Sequence, residues 1–84
     1  MIRGYKDLIR VLELDGKDKK VEFTAYAVLN SYYDWLLNDS CSWNVKKHYE
    51  ELISGVLLGL RLTSYINEED YHLLKSELFN LVFD

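Results

Sequence analysis

The sequence predicts an all-α fold, a small four-helix bundle-like domain in which residues 1–84 form a single domain. Apolar residues recur at three- and four-residue steps along most of the chain, which is the spacing of one helical face. The chain contains no proline, which favours long uninterrupted helices. Hydrophobic residues make up 49% of the chain, enough for one modest core. Such small domains often gain stability by forming oligomers.

The first helix is predicted over residues 4–14, with Gly16 placed to end it. The alternative is a β-hairpin at about residues 10–24, because apolar and polar residues alternate there around a short turn. Three helices would follow that hairpin, and the fold would be α+β. The alternating apolar residues are Leu12, Leu14, Val21 and Phe23.

The second helix is predicted over residues 19–38, or from Thr24 if its first turn is absent. It carries two apolar stripes, so it needs two packing partners, and one of them can lie outside the chain. The main stripe consists of Val21, Ala25, Val28, Leu29, Tyr32, Trp35 and Leu36. The second stripe consists of Phe23, Tyr26, Tyr33 and Leu37.

A central helix is predicted over residues 45–62, with Ser42 as its N-cap. It is apolar over more than half its circumference, so we expect the other helices to enclose it. Gly55 and Gly59 each cost about 1 kcal/mol relative to alanine, which indicates that another backbone approaches closely. The main stripe is Val45, Tyr49, Leu52, Ile53, Val56, Leu57 and Leu60, and the flanking stripe is His48, Gly55, Leu58, Gly59 and Leu62.

No membrane span is predicted from this central segment. Its uncharged run, residues 52–60, is far shorter than the roughly 20 residues that a spanning helix needs.

The fourth helix has the clearest start signal in the sequence. Asn67 is a predicted N-cap, and three acidic residues follow it where the helix dipole favours negative charge. A tight corner at residues 63–65 places this helix antiparallel to the central one. Its main face is Tyr71, Leu74, Leu78, Leu81 and Val82, beside a weaker stripe of His72, Phe79 and Phe83.

The net charge of −4 is unevenly distributed. Residues 1–20 carry a net charge of +2 and residues 21–84 a net charge of −6, which disfavours broad, non-specific binding to nucleic acid. Cys41 is the only cysteine, so no intramolecular disulfide can form. The N-terminal segment has no apolar run of signal-peptide length, and a cytoplasmic location is expected.

The sequence contains no recognisable set of catalytic or metal-binding residues. Cys41, His48 and His72 are not at metal-ligand spacing, and no glycine-rich phosphate loop precedes a helix. Neighbouring acidic residues resemble solvated helix surface more than acid–base pairs. We therefore expect no metal site, no cofactor and no enzymatic activity.

Protein binding is the function that the sequence favours, because tyrosine and tryptophan are enriched at interfaces. We expect a small adaptor, regulator or inhibitor. An inhibitor from a phage or mobile element would fit the size and acidity. A homodimer would use one surface twice. The candidate partner-binding residues are Phe23, Tyr26, Tyr33, Asp34, Leu37, Asp39, Phe79 and Phe83.

The alternative function is that of a dimeric nucleic-acid-associated regulator. The basic N-terminal segment would contact phosphates, and a second candidate contact site for nucleic acid lies at the start of the central helix. The residues for this alternative are Lys17, Lys19, Lys20, Trp43, Lys46 and Lys47.

Overall fold

A computed structural model describes residues 2–19, 25–38 and 42–83 of the chain. These residues form α1 (Tyr5–Lys19), α2 (Ala25–Asn38), α3 (Trp43–Leu62) and α4 (Glu68–Phe83), with no strand among them. The predicted all-α fold is confirmed. Residues 10–19 are helical, so the alternative β-hairpin is not supported, and residues 20–24 lie outside the described residues. None of the four helices combines the length and apolar character that crossing a membrane requires.

The predicted end of the first helix is wrong, because α1 continues through Gly16 to Lys19. The second helix therefore cannot begin at residue 19, and its described part begins at Ala25, beside the alternative start at Thr24. Asp15 accepts a hydrogen bond from the Tyr65 hydroxyl beyond the end of α3. This contact joins the C-terminal half of α1 to the corner that follows α3.

The core lies where consecutive helices pack: α1 against α2, α2 against α3, and α3 against α4. In α4 the three buried residues all belong to its predicted main face, and the other two members, Tyr71 and Leu81, are partly buried. In α2 the buried residues combine both predicted stripes, since Tyr33 joins the core while Trp35 is half exposed. The buried hydrophobic residues are Leu8, Leu12, Leu29, Tyr33, Leu36, Ile53, Leu57, Ile66, Leu74, Leu78 and Val82.

The start of α1 is held by a side chain from α4. The backbone N–H of Tyr5 donates a hydrogen bond of 2.8 Å to Glu77 Oε1, which supplies a partner that no neighbouring residue in the sequence provides. The backbone N–H of Arg3 and the guanidinium of Arg10 donate to Asp7 at 3.2 and 2.7 Å. These two hydrogen bonds hold the pKa of Asp7 below its ordinary value.

The prediction that the other helices enclose α3 is wrong along one flank. Ile53 and Leu57 are buried, and Tyr49, Val56 and Leu60 pack against the core. The predicted flanking stripe faces solvent instead. Among the described residues, α2 and α4 pack most extensively against α3, and two neighbours cannot cover its whole circumference. The solvent-facing residues of this stripe are His48, Gly55, Leu58, Gly59 and Leu62.

The corner between α3 and α4 is a Schellman-type helix end. The N–H groups of Ser64 and Tyr65 donate to the carbonyls of Arg61 and Leu60, at 3.0 and 2.9 Å. Ser64 occupies the left-handed position with a φ of 63°, where glycine is normally found. Asn67 then caps α4, as predicted, by accepting a hydrogen bond of 2.7 Å from the backbone N–H of Asp70.

Replacing Ser64 by glycine should raise the free energy of unfolding by about 1 kcal/mol, because it removes a Cβ from a left-handed position. Urea denaturation followed by circular dichroism measures the change. Ser64→Ala is the matched control, since alanine keeps the Cβ and should bring no such gain. A Ser64→Gly variant no more stable than Ser64→Ala would contradict the assignment of this corner.

Candidate partner-binding surface

Three aromatic side chains meet where the start of α3 lies beside the end of α4. The ring centroids of Trp43 and Phe83 are 6.0 Å apart, and those of Phe79 and Phe83 are 4.5 Å apart. Lys47 Nζ lies 5.5 Å from the centroid of the Phe83 ring, within range of a cation–π contact. We call these four residues, Trp43, Lys47, Phe79 and Phe83, the aromatic seam.

The aromatic rings of the seam are exposed rather than buried. Trp43 is 55% exposed, Phe79 is 59% exposed and Phe83 is 37% exposed. Across the described residues, the chain exposes as many large hydrophobic side chains as it buries. A cluster of exposed apolar side chains of this kind typically marks a site of interaction with another molecule.

A polar network borders the seam along the α3–α4 interface. Lys75 Nζ donates a hydrogen bond of 2.9 Å to Ser54 Oγ, and Ser54 Oγ donates one of 3.1 Å to Glu50 Oε1. Lys47 Nζ is 3.5 Å from Glu50 Oε2 and so links this network to the seam. An apolar patch with a polar border resembles the layout of protein interfaces.

A second exposed surface follows the outer side of α3. It consists of the solvent-facing stripe named above, and we call those residues, His48, Gly55, Leu58, Gly59 and Leu62, the open flank. Leu62 is 73% exposed and Leu58 is 40% exposed. A Cβ placed on Gly55 or Gly59 would meet no atom of the described neighbours within 4 Å. The close backbone approach predicted for these glycines therefore does not occur within the described chain.

Tyr33, a predicted partner-binding residue, lies in the core instead. Its ring stacks on that of Tyr5 with centroids 4.3 Å apart and an interplanar angle of 16°. The start of α1 covers this side of α2, so Tyr33 is buried and is not part of an exposed surface in the described structure. Its hydroxyl is buried and has no hydrogen-bond partner in the described structure.

The other α2 candidates do not form one continuous surface. Tyr26 is partly buried against the core. Asp34 and Leu37 are exposed beside a shallow groove between α1 and α2, and Asp34 Oδ1 accepts a hydrogen bond of 2.6 Å from the Asn38 amide. Phe23 and Asp39 lie outside the described residues.

The residues predicted for nucleic-acid binding are divided between places. Trp43 and Lys47 belong to the aromatic seam, while Lys46 is partly buried nearby. Lys20 and the side chains of Lys17 and Lys19 lie outside the described part of the chain. The structure thus joins two residues from the nucleic-acid set to two from the protein-binding set, Phe79 and Phe83.

One exposed aromatic group was missed by sequence reasoning. Trp35 is half exposed, and its ring centroid lies 6.0 Å from that of Tyr32 and 5.9 Å from that of Tyr49. The predicted main stripe of α2 holds Trp35 together with Leu36. Adjacent helical residues point about 100° apart, so these two side chains lie toward different edges of the stripe, and only Leu36 is buried in the structure.

The described residues contain no group of three or more His, Cys, Asp or Glu side chains that could hold a metal ion. The pKa shifts found have structural causes. Burial raises the pKa of Tyr65, and the negative charge of Asp15 and its hydrogen bond add to the effect.

Protein-family models, curated proteins and solved structures gave no match to this chain. The function proposed below is therefore based on its surfaces.

Proposed function

We propose that this chain is a non-enzymatic helical interaction protein that binds a partner protein through its aromatic seam. The proposal is based on the exposure of Trp43, Phe79 and Phe83, none of which is part of the hydrophobic core. Large aromatic side chains provide most of the binding energy at many interfaces, since they bury much area at little entropic cost. An adaptor, a regulator and an inhibitor would all use such a surface.

The acidic residues support a partner with a basic region. Asp34, Glu68 and Glu69 are exposed, and the chain carries a net charge of −4. Charges away from the contact act at long range, where they speed association with an oppositely charged partner more than they add affinity. Within this class we favour an inhibitor from a phage or mobile element, a narrower proposal supported by small size and acidity alone.

The proposal places the protein in the cytoplasm, since a lone cysteine suits a reducing compartment, and it involves no cofactor.

The triple variant Trp43→Ala, Phe79→Ala, Phe83→Ala should lose at least about tenfold in partner binding, because each ring is a candidate anchor. Tagged protein is used to capture partners from the source cells, and the captured proteins are quantified by mass spectrometry. Circular dichroism should show that the variant remains helical, since the replaced rings lie outside the core.

The matched control is Leu14→Ala, Trp35→Ala, Leu73→Ala, which removes apolar side chains of similar exposure from other faces. The relevant partners are those retained by the wild type and by this control but lost by the seam variant. Capture of the same proteins, in the same amounts, by wild type and seam variant would refute the assignment of the seam.

A second candidate function is nucleic-acid binding, which the position of Lys47 beside Trp43 and Phe83 favours. Exposed aromatic rings can stack on unpaired bases while nearby lysines contact phosphates. In this alternative the chain acts as a dimeric regulator that also uses Lys17, Lys19, Lys20 and Lys46. Affinity for a single-stranded oligonucleotide that falls steeply with salt would favour this candidate over protein binding.

A further inference from the structure

Two lysine side chains share one carboxylate in the groove between α3 and α4. Lys47 Nζ lies 3.5 Å from Glu50 Oε2, and Lys75 Nζ lies 4.0 Å from Glu50 Oε1. Glu50 is the only carboxylate of the described residues within 4.0 Å of either ammonium group. These three side chains therefore carry one positive charge in excess. We call Lys47 and Lys75 the lysine pair.

Both ammonium groups of the lysine pair keep N–H donors that no described residue accepts. A lysine ammonium has three such donors, and Lys75 Nζ uses one on Ser54 Oγ at 2.9 Å. The 3.5 Å between Lys47 Nζ and Glu50 Oε2 is longer than a charge-assisted hydrogen bond. The side chains of Lys47 and Lys75 are 42% and 35% exposed, so a ligand can reach both.

The lysine pair lies directly beside the exposed rings of the aromatic seam. Lys47 Nζ is 5.5 Å from the centroid of the Phe83 ring. Lys75 precedes Phe79 by four residues on α4, so their side chains project from the same face, one turn apart. Exposed apolar surface and excess positive charge are thus neighbours in one groove.

We propose that the partner segment bound by the aromatic seam carries an aspartate or glutamate next to its apolar anchor, and that this carboxylate binds between Lys47 and Lys75. This pairing rests on the proposed function, since it specifies the partner chemistry of the same site. The anchor packs on Phe79 and Phe83. The carboxylate accepts the remaining N–H donors and balances the excess charge.

The size of the excess charge favours a single carboxylate over the phosphates of nucleic acid. One positive charge balances one monoanion, whereas a polynucleotide brings a row of negative charges. Glu50 lies within the cluster and Glu51 is exposed next to it in the chain, and both repel further phosphates. The net charge of −4 acts at long range in favour of a basic partner, while the local charge at the lysine pair has the opposite sign.

Two capped dipeptides, acetyl-Phe-Glu-amide and acetyl-Phe-Gln-amide, test the pairing, because they differ only in the charge. Each is titrated at low salt into isotopically labelled protein, and NMR follows the backbone amides of Lys47 and Phe79 and the indole of Trp43. The Glu dipeptide should bind about fivefold more tightly than the Gln dipeptide. About 0.5 M salt should abolish the difference, because it screens exposed charges.

Three variants separate the lysine pair from the charge of the whole chain. Lys75→Met keeps the apolar stem and should lower the affinity for the Glu dipeptide to that for the Gln dipeptide. Lys6→Met is the matched control, since it removes an exposed lysine from α1 and should keep the preference. Glu50→Gln should raise the affinity for the Glu dipeptide about fivefold, a gain that a folding defect cannot produce.

Equal affinities of the wild type for the two dipeptides at low salt would overturn the inference and leave the seam as a purely apolar anchor site, with the proposed function intact. No shift at the seam with either dipeptide would count against the inference and the proposed function together. Equal loss of the preference in Lys6→Met and Lys75→Met would assign it to net charge and also overturn the inference. An oligothymidine of about ten nucleotides that binds the same residues more tightly than the Glu dipeptide would overturn it in favour of nucleic acid.

Discussion

Tyr33→Ala is expected to lower the free energy of unfolding by about 3 to 5 kcal/mol, which is a large part of the stability of so small a domain. The ring is 1% exposed and stacks on Tyr5, so its removal leaves a cavity where α1 meets α2. Chemical denaturation followed by circular dichroism measures the loss. A change within about 0.5 kcal/mol would place Tyr33 on the surface and contradict the packing of α1.

Tyr33→Phe is the informative companion, because it keeps the ring and removes only the hydroxyl. That hydroxyl is buried without a hydrogen-bond partner, so its removal should raise the free energy of unfolding by about 1 kcal/mol. A loss of stability in Tyr33→Phe would show that the hydroxyl has a partner after all.

The wild type and Tyr33→Phe should differ in how their stability changes at high pH. Burial raises the pKa of Tyr33 above its ordinary value of 10.0, and the charge of Glu77 adds to the effect. The neutral phenol is therefore favoured in the folded state, and its contribution to stability is present below pH 10.0 and lost as the pH rises further. Denaturation midpoints measured above pH 10.0 should fall more steeply for the wild type than for Tyr33→Phe.

Leu57→Ala and Leu58→Ala should differ greatly although the residues are adjacent. Leu57 is 0% exposed and Leu58 is 40% exposed. The first substitution should cost about 2 to 5 kcal/mol, because it opens a cavity in the core. The second should change the free energy of unfolding by less than about 0.5 kcal/mol when the protein is dilute.

This comparison tests the rotation of α3 about its own axis, since both variants have the same composition and the same helix propensity. Urea denaturation at low protein concentration gives both values and keeps self-association out of the measurement. Similar losses in the two variants would mean that α3 is enclosed on both sides, as the sequence predicts, and that the open flank does not exist.

The two exposed surfaces have the same origin in the packing of α3. Its apolar side chains extend around more than half of the helix, while its neighbours α2 and α4 cover only part of it. The remaining apolar residues, Leu58 and Leu62, stay in solvent. At the start of α3, Trp43 projects beyond the core and meets Phe83 from α4.

Several elements were predictable because their signals are local. The cap at Asn67 and the antiparallel α3–α4 pair follow from residues close together in the chain. All four residues of the seam were predicted as site residues, but for two different functions, since Trp43 and Lys47 are far in sequence from Phe79 and Phe83. Only the packing of α3 on α4 brings them together.

Local signals failed at two kinds of position: on a helix with two equally apolar sides, and at a glycine that resembles a helix end. In α2, Tyr33 and Trp35 both had a plausible buried position, and the stack of Tyr33 on Tyr5 decided between them. In α1, Gly16 is a good helix terminator by local criteria, but the helix continues past it and Asp15 is held by Tyr65. These outcomes depend on residues distant in the sequence.

The amino-acid sequence by itself determined that this chain forms helices, close to where three of them begin, and that its apolar side chains exceed the needs of one small core. Spacing, caps and composition act over a few residues, so they can be read along the chain. Only the tertiary structure decided which of those side chains remain in solvent. That choice depends on how many neighbouring helices are available to cover each face, and α3 has two where its apolar surface could accommodate a third.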